Sequence, residues 1–487
     1  MILSVGRAAT RLKEVGMRKV LGAARLQLMR QFWAEALVMS FLSFLFGLFL
    51  VELFLPVFNQ LAQKNLTLSA FQNLNMVLAL LALVTTVGII AGSYPALILS
   101  HFKPAELFKG IFLVGGKRRF NRLLVITQFA LAIILIVGTL AMSRQMSFLQ
   151  SRTLGFRREQ IIVLENRASD REGTQQLLRE ALLRHAEIIN TTAAQFSFTS
   201  GYHNVGFQYQ NERYRALEFR IGPHFLQTMD IPIIAGRNFS SEITTDKETA
   251  VIVNEKFVKA LNLENPLGVT FTFRGNPNMQ IIGVVRDFNF QSLHEPIQPM
   301  VMHMNDMARL NSIFVRIAPS QTQQAIEIME AEWRKIIPGL PFGFSFLDEN
   351  LARQYDAEQR WSDVVRYSSF FAILVACLGL FGLAALLMRE RTKEIGVRKV
   401  LGATVPSVTG LLSKDFVKLV LVANFIAWPV AWFAMNEWLQ SFAYRIDIGW
   451  WVFALAGGLA LVIALLTVST QAVKAALANP VESLRYE

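Results

Sequence analysis

Six stretches of about 20 apolar residues constrain this chain more than any other feature. Only a helix of that length satisfies its own backbone across a hydrocarbon core. The stretches run over Phe32–Leu55, Met76–Leu99, Leu123–Met142, Tyr367–Met388, Phe416–Met435 and Trp450–Val468. The fifth is interrupted by Asn424 and Pro429, which membrane helices tolerate when neighbours pack against them. The chain is 53% hydrophobic, yet a polar block over 143–363 separates the third stretch from the fourth.

The formal net charge of +12 would fit nucleic acid binding if it were spread over one face, but its placement follows a membrane topology. Arg7, Arg11, Lys13, Arg18, Lys19, Arg25 and Arg30 precede the first span. Lys103, Lys109, Lys117, Arg118, Arg119 and Arg122 fill the link between the second and third. Arg389, Arg391, Lys393, Arg398, Lys399 and Lys414 fill the link between the fourth and fifth. The positive-inside rule makes these segments cytoplasmic, together with the tail that carries Lys474 and Arg485. Both termini then lie inside and the polar block outside, and no nucleic-acid partner is expected. The single cysteine, Cys377, falls within the fourth span, so no intrachain disulfide supports the outer block. No apolar h-region directly follows the first basic residues, which argues against a signal peptide.

An internal repeat sets the organisation. Residues 14–23 read EVGMRKVLGA and residues 394–403 read EIGVRKVLGA. Each copy precedes two spans, and each second span leads into a related tail, Lys103-Pro104-Ala105-Glu106-Leu107 or Asn479-Pro480-Val481-Glu482-Ser483-Leu484. Duplication of this kind is familiar in transporters. Against the second unit, the first is expected to lack its opening span, its outer domain and its second span, as a shortened or fragmentary first half would.

The polar block reads as a folded α+β domain. Strands are expected at Ile161–Leu164, Ala250–Val253, Ile281–Val285 and Ile313–Ile317, and helices at Thr174–Ile189, Glu255–Leu261 and Thr322–Ile337. Arg144–Gln150 and Glu349–Arg366 are expected to extend the third and fourth spans as a two-helix stalk. Phe196, Phe198, Tyr202, Phe207 and Tyr209 could line a groove for a hydrophobic ligand, but alternating aromatics are more often a strand's buried face. Asp287, Asn289, His294 and Glu295, followed by Pro296 and Pro299, read as a structured turn rather than a catalytic site.

The loop Arg391–Thr404 and its earlier copy Arg11–Ala23 resemble the signature of FtsX-like ABC permeases of the MacB type. In the outer block, Pro223–Phe239 (PHFLQTMDIPIIAGRNF) and Gly283–Met300 (GVVRDFNFQSLHEPIQPM) are similar to segments of the MacB-like periplasmic core domain. Two features depart from the pattern: the missing first half, and the absence of a fused ATPase domain. The resemblance implies a multi-pass α-helical membrane protein with six transmembrane helices and one large α+β extracytoplasmic domain on a two-helix stalk.

The segments it implies are a cytoplasmic segment with the first coupling helix (1–31), two spans and their link (32–122), a span with the start of the stalk (123–142), the core domain (143–363) and an FtsX-like permease domain (364–487). It further implies a bacterial inner-membrane location and a permease subunit that binds no cofactor. ATP would be hydrolysed by a separate ABC ATPase subunit acting as a dimer, whose motion passes through the stalk to the outer domain. Implied further partners are a periplasmic adaptor, an outer-membrane channel or an envelope enzyme. The work done would be export or extraction of an envelope substrate. Regulation of a cell-wall hydrolase and reporting to a stress-sensing kinase remain open as alternatives.

The residues themselves support a docking element. Treated as a helix, Glu394–Ala403 places Ile395, Arg398 and Lys399 on one side and Val397, Val400 and Leu401 beside them, a short basic amphipathic helix at the membrane surface. Gly396 and Gly402 would permit close approach of another backbone, and Glu394 could pair with Arg398. Glu14, Gly16, Arg18, Lys19 and Gly22 occupy the same places in the first copy. A juxtamembrane anchor on lipid headgroups needs positive charge but no particular residue order, so a near-identical pair favours docking.

Other chemistry is weakly represented. His101, His185, His203, His224, His294 and His303 show no close ligand spacing, and no Walker A or Gly-x-Ser-x-Gly sequence occurs. Glu52, near the outer end of the first span, reads as a hydrated interfacial acid. A secondary transporter would need ionisable residues near the membrane midplane, and the spans contain few.

Overall fold

A computed structural model describes residues 17–477, apart from 19, 63–64, 68–72, 102–113, 169, 199–201, 241, 305–309, 391–396 and 399–400. Both Pro-x-Glu tails therefore lie outside the described residues. The chain divides into two compact units. One comprises Met1–Arg144, Arg360–Trp438 and Asp447–Glu487; the other comprises Gln145–Gln359 and Leu439–Ile446.

Among the described residues, the first unit holds six helices long and apolar enough to cross a membrane. They are α1 (Arg25–Ala62), α2 (Leu74–His101), α3 (Val114–Ser151), α10 (Asp356–Glu390), α11 (Val405–Gln440) and α12 (Trp450–Leu477), with α4 to α9 lying in the other unit. Helices α3, α10, α11 and α12 share one apolar core, built largely from alanines and β-branched residues such as Val125, Ile133, Val137, Ala376, Val420, Ala423, Ala427, Ala456 and Ala464. Small side chains let helix backbones approach when lipid is as apolar as leucine. The doubtful fifth span is one continuous helix, α11, with Pro429 inside it. Asn424 donates to the Val420 carbonyl and accepts from Trp428 Nε1, so its amide is satisfied within the helix.

Helices α1 and α2 meet at a Gly-x-x-x-Gly pair. A Cβ on Gly88 would lie 2.8 Å from Leu37 Cδ2, and one on Gly92 would lie 2.9 Å from Ala36 Cβ. Trp33 Nε1 donates to Ser93 Oγ at 3.1 Å beside this crossing. The Gly88-Ile-Ile-Ala-Gly92 motif stood in the sequence as a helix-packing signal, although the span reading used only its hydropathy.

The second unit is α+β, with helices α4 (Arg171–Leu182), α5 (Phe225–Met229), α6 (Thr244–Glu248), α7 (Glu255–Ala260), α8 (Thr322–Ile336) and α9 (Leu347–Arg353). Its first sheet has the order β11-β1-β10-β2, with β1 Ile161–Glu165, β2 Ile188–Ala194, β10 Ser312–Ile317 and β11 Phe344–Phe346, all paired antiparallel. Leu178 and Leu182 of α4, and Ala325, Met329 and Trp333 of α8, cover one face of it.

The second sheet runs β5-β8-β6-β9-β4-β3-β7, with an additional β8–β7 pairing. Its strands are β3 His203–Tyr209, β4 Glu212–Arg220, β5 Ile233–Gly236, β6 Ala250–Asn254, β7 Thr270–Phe273, β8 Asn276–Val285 and β9 Met300–His303. The long β8 pairs β7 near its start and β5 at its end, so six strands close into a ring that removes free edges. Phe207, Val251, Val253, Phe257, Phe271, Met279, Ile281 and Val301 fill it.

Several expectations change here. The helix expected over Thr174–Ile189 ends at Leu182, because amides of Leu183, Arg184 and His185 close a turn back onto α4. Ile188 and Ile189 then begin β2, where β-branched residues pair with β10. Of the five aromatics, Phe198 and Phe207 are core, whereas Tyr202 is 46% exposed. Phe198 stacks on Phe156 at 4.7 Å and meets Phe219, Phe225, Phe290 and Phe314. Its φ of 64° is rare for an aromatic, and Gln354 Nε2 donates to its carbonyl at 3.0 Å.

A charged cluster is buried within the second sheet. Glu218 Oε1 accepts from His303 Nε2 at 2.8 Å and from Arg220 Nη2 at 3.3 Å, while its Oε2 accepts from Arg274 Nη2 at 2.6 Å. Burial alone would raise the Glu218 carboxyl, but the hydrogen bonds from His303 and Arg274, with the Arg220 charge, outweigh it and hold the pKa at about 2. Burial pushes the His303 imidazole below its ordinary 6.5, against the pull of Glu218. Its Nδ1 is buried without a hydrogen-bond partner, which suits the neutral ring with its proton on Nε2.

Two predictions follow from this packing. In acid the unfolded chain protonates His303 near 6.5 while the fold resists, so stability drops as pH falls below 6.5. A further loss accompanies Glu218 protonation between about 4.5 and 2. Thermal unfolding of wild type and His303→Gln between about pH 7.5 and 5 checks this, since the variant loses a slope of at most about 1.4 kcal/mol per pH unit. In the membrane unit, Gly92→Val should separate α1 from α2 at a cost of about 1–3 kcal/mol. Disulfide trapping between Trp33→Cys and Ser93→Cys measures it and should fall.

Candidate functional site

The repeated segment folds the same way twice. In the first copy Met17, Arg18 and Val20 are helical, Leu21 N donates to Met17 O at 3.0 Å, and Ala23 N donates to Arg18 O at 2.9 Å. In the second, Val397 and Arg398 are helical, Leu401 N donates to Val397 O at 3.0 Å, and Ala403 N donates to Arg398 O at 2.9 Å. The six-to-one closure onto Arg18 or Arg398 is a Schellman cap, which needs a left-handed residue just before its last amide. Gly22 and Gly402 supply it, with φ of 91° and 92°. Three residues after each glycine a span begins, α1 in one copy and α11 in the other.

A Cβ on either Gly22 or Gly402 would meet nothing within 4 Å. Their left-handed conformation is what the turn requires. The residue each cap projects is a leucine. Leu21 and Leu401 are each 80% exposed, with Val20, Met17 and Val397 also exposed beside them. Neither leucine was among the candidate site residues. Their signal was the Leu-Gly dipeptide at a helix end, where the cap lifts the preceding side chain off the helix.

Of the predicted site residues, Arg18, Gly22, Arg398 and Gly402 are described and sit in these two turns. Glu14, Gly16, Lys19, Glu394, Gly396 and Lys399 lie outside the described residues, so the expected Glu394–Arg398 pair does too. Each turn is fastened to the unit behind it. Arg18 Nη1 donates to Gln31 Oε1 at 2.8 Å, and Gln31 in turn donates to Glu35 on α1. In the second copy Ala403 and Val405 pack against the shared helix core. The turns can thus present an apolar knob on a basic segment and carry a push into a span. Among the described residues no three His, Cys, Asp or Glu side chains gather as a metal-ligand set.

The resembling outer segments are structural. In Pro223–Phe239, Asp230 ends α5 with φ 56° and Gly236 turns β5 with φ 77°. Arg237 then forks onto Asp246 at 2.6 and 2.7 Å. In Gly283–Met300, Phe288, Phe290 and Leu293 are buried, and the turn beyond them carries His294.

Comparison with known proteins agrees with this layout. The family described as FtsX-like permease C-terminal matches residues 1–104 and again 367–480, so each match contains one knob. The MacB-like periplasmic core domain matches residues 124–331. The macrolide export ATP-binding/permease protein MacB of Aggregatibacter actinomycetemcomitans is 26% identical over 195 residues, covering 38% of this chain and 30% of that protein. The chain thus spans about a third of the length of that curated relative. An uncharacterized ABC transporter permease of Bacillus subtilis, YknZ, is 21% identical over 295 residues, covering 58% of this chain and 72% of the relative. Among solved structures, the periplasmic region of MacB from Actinobacillus actinomycetemcomitans aligns with a TM-score of 0.31 at 18% identity. That alignment covers 40% of this chain and 92% of the other.

Proposed function

The chain belongs to the FtsX-like ABC transporter permeases of the MacB type, and from that premise we propose that it is the motion-transmitting subunit of such a system. A separate ABC ATPase, working as a dimer, docks on the two knobs at Leu21 and Leu401. Its closure displaces the turns and with them α1 and α11. Helices α3 and α10 serve as the two rods of a stalk that passes the displacement to the α+β unit, which does work on an envelope substrate. Both termini lie on the cytoplasmic side with the ATPase, and the α+β unit on the other.

One observation carries this reading: two nearly full-exposure leucines on geometrically equal, glycine-capped turns. Exposing leucine to water or to polar headgroups is unfavourable, and burying it in a partner recovers about 1.5–3 kcal/mol. Lipid anchorage requires neither the cap nor its duplication. Two equal knobs suit a partner with two equal sockets, which a homodimeric ATPase offers. The basic residues Arg18 and Arg398 would steer an acidic socket rim without supplying much affinity.

The test is ATP hydrolysis by the ABC ATPase that co-purifies with the chain in lipid nanodiscs. The double variant Leu21→Asp, Leu401→Asp should lower permease-stimulated turnover by roughly tenfold or more, as loss of two buried leucines implies. Each single variant should fall between that and wild type, and expression and membrane insertion should not change. Glu394→Arg and Gly396→Trp should act in the same direction. Undiminished stimulation in the double variant would sink the docking role.

A further inference from the structure

The segment Leu439–Ile446, which joins α11 to α12, belongs to the compact α+β unit rather than to the membrane unit. Three sets of contacts place it there. Gln145, fully buried, donates from Nε2 to Tyr444 O at 2.9 Å and accepts at Oε1 from Ile446 N at 3.0 Å. The Arg152 guanidinium lies 3.9 Å from the Tyr444 ring centroid. His294 makes the third set.

His294 is half-buried, with partners on both ring nitrogens. Its carbonyl accepts from Ala443 N at 3.1 Å, and its ring stacks on Phe442 with centroids 4.2 Å apart and planes at 25°. Nδ1 lies 3.1 Å from Ser441 O, and Nε2 lies 3.1 Å from Glu358 Oε1. From the helical side, the Tyr355 ring stacks at 6.1 Å, its hydroxyl accepting from Leu293 N at 2.7 Å. The groups facing the ring are thus Glu358 and Tyr355 on one side and the Ser441 carbonyl with Phe442 on the other. Glu295 adjoins it in sequence, and Arg445 is the only charged residue of 439–446.

Both polar partners of the ring are oxygen acceptors. A carbonyl cannot donate, so Nδ1 must carry a proton to bond Ser441. Nε2 faces a carboxylate oxygen, so a second proton must lie between Nε2 and Glu358 Oε1, on one or the other. Glu358 Oε2 is buried and has no hydrogen-bond partner among the described residues. Taking the shared proton away sets the Nε2 lone pair against a partly desolvated anion, and the contact turns from attractive to repulsive.

We propose that His294 and Glu358 form a proton-dependent clasp that holds the 439–446 segment onto the α+β unit and opens as the shared proton is lost at higher pH. Because that segment continues directly into α11 and α12, the clasp sets how firmly those two helices drive the α+β unit. This consequence rests on the transmission role proposed above; the clasp itself does not.

Hydrogen exchange of the full chain in nanodiscs, between about pH 6 and pH 8.5 and corrected for intrinsic rates, reads the clasp directly. Protection of the 439–446 amides should fall roughly tenfold or more as pH rises, the loss of one charge-assisted hydrogen bond. Glu358→Gln replaces the shared proton with an amide donor to neutral Nε2 and should keep the segment protected across the range. His294→Gln cannot titrate and should give protection that does not vary with pH. Equal protection of the wild-type segment at both pH values overturns the clasp, and so does a wild-type pH response that persists in His294→Gln. ATPase stimulation measured on the same samples separates the two ideas. A pH-dependent segment with pH-independent coupling supports the clasp and counts against the transmission role.

Discussion

Inside a hydrocarbon layer a backbone has no water to bond, and every N–H and C=O must find a partner in its own segment. That requirement governs the membrane unit. It explains why the polar Asn424 is tolerated in α11: its amide donates back to the Val420 carbonyl and accepts from the Trp428 indole N–H. It also explains why the helices touch through alanine and glycine. Without a hydrophobic drive between helices, close packing supplies the attraction, and Gly88 and Gly92 let α2 approach the α1 side chains.

The α+β unit obeys the opposite logic. Its strands satisfy their backbones only by pairing with segments distant in sequence, such as β1 with β10 and β4 with β9. The ring closed by β7 and β8 leaves few free edges on that sheet. Buried carboxylates are admitted where cations or N–H donors meet them: Glu218 sits among His303, Arg220 and Arg274, and Asp246 under the Arg237 fork. Such clusters stiffen a domain that carries no disulfide, at the expense of its tolerance to acid.

The two glycine-capped turns link these regimes to the proposed function. Their local hydrogen bonds and their φ values agree between copies, because eight of ten residues are shared and a helix cap depends on few neighbours. Each is then fastened differently, one through Arg18 and Gln31 and the other through Ala403 and Val405. A conserved local shape on two unlike supports is what a common external partner would select.

Much of this was legible in the sequence. Span number and the repeat follow from patterns that are local along the chain, and hydrophobic length is decided by the bilayer rather than by tertiary contacts. The Gly88-x-x-x-Gly92 motif stood there too, but the reading used only its hydropathy, and its contacts with Ala36 and Leu37 came from the fold. The strand order of the outer unit was not legible, since pairing partners lie as far apart as Ile162 and Phe346, and periodicity carries no address. For the same reason α4 looked longer than it is: only pairing with β10 turns Ile188 and Ile189 into strand. The exposure of Leu21 and Leu401 came from the fold, although the glycines that cause it were already marked. His294 shows the division most plainly. By sequence it is one polar residue in a proline-bounded turn, and only tertiary structure brings Ser441 and Glu358 to its two nitrogens, because hydrogen-bond partners are fixed by space and not by spacing.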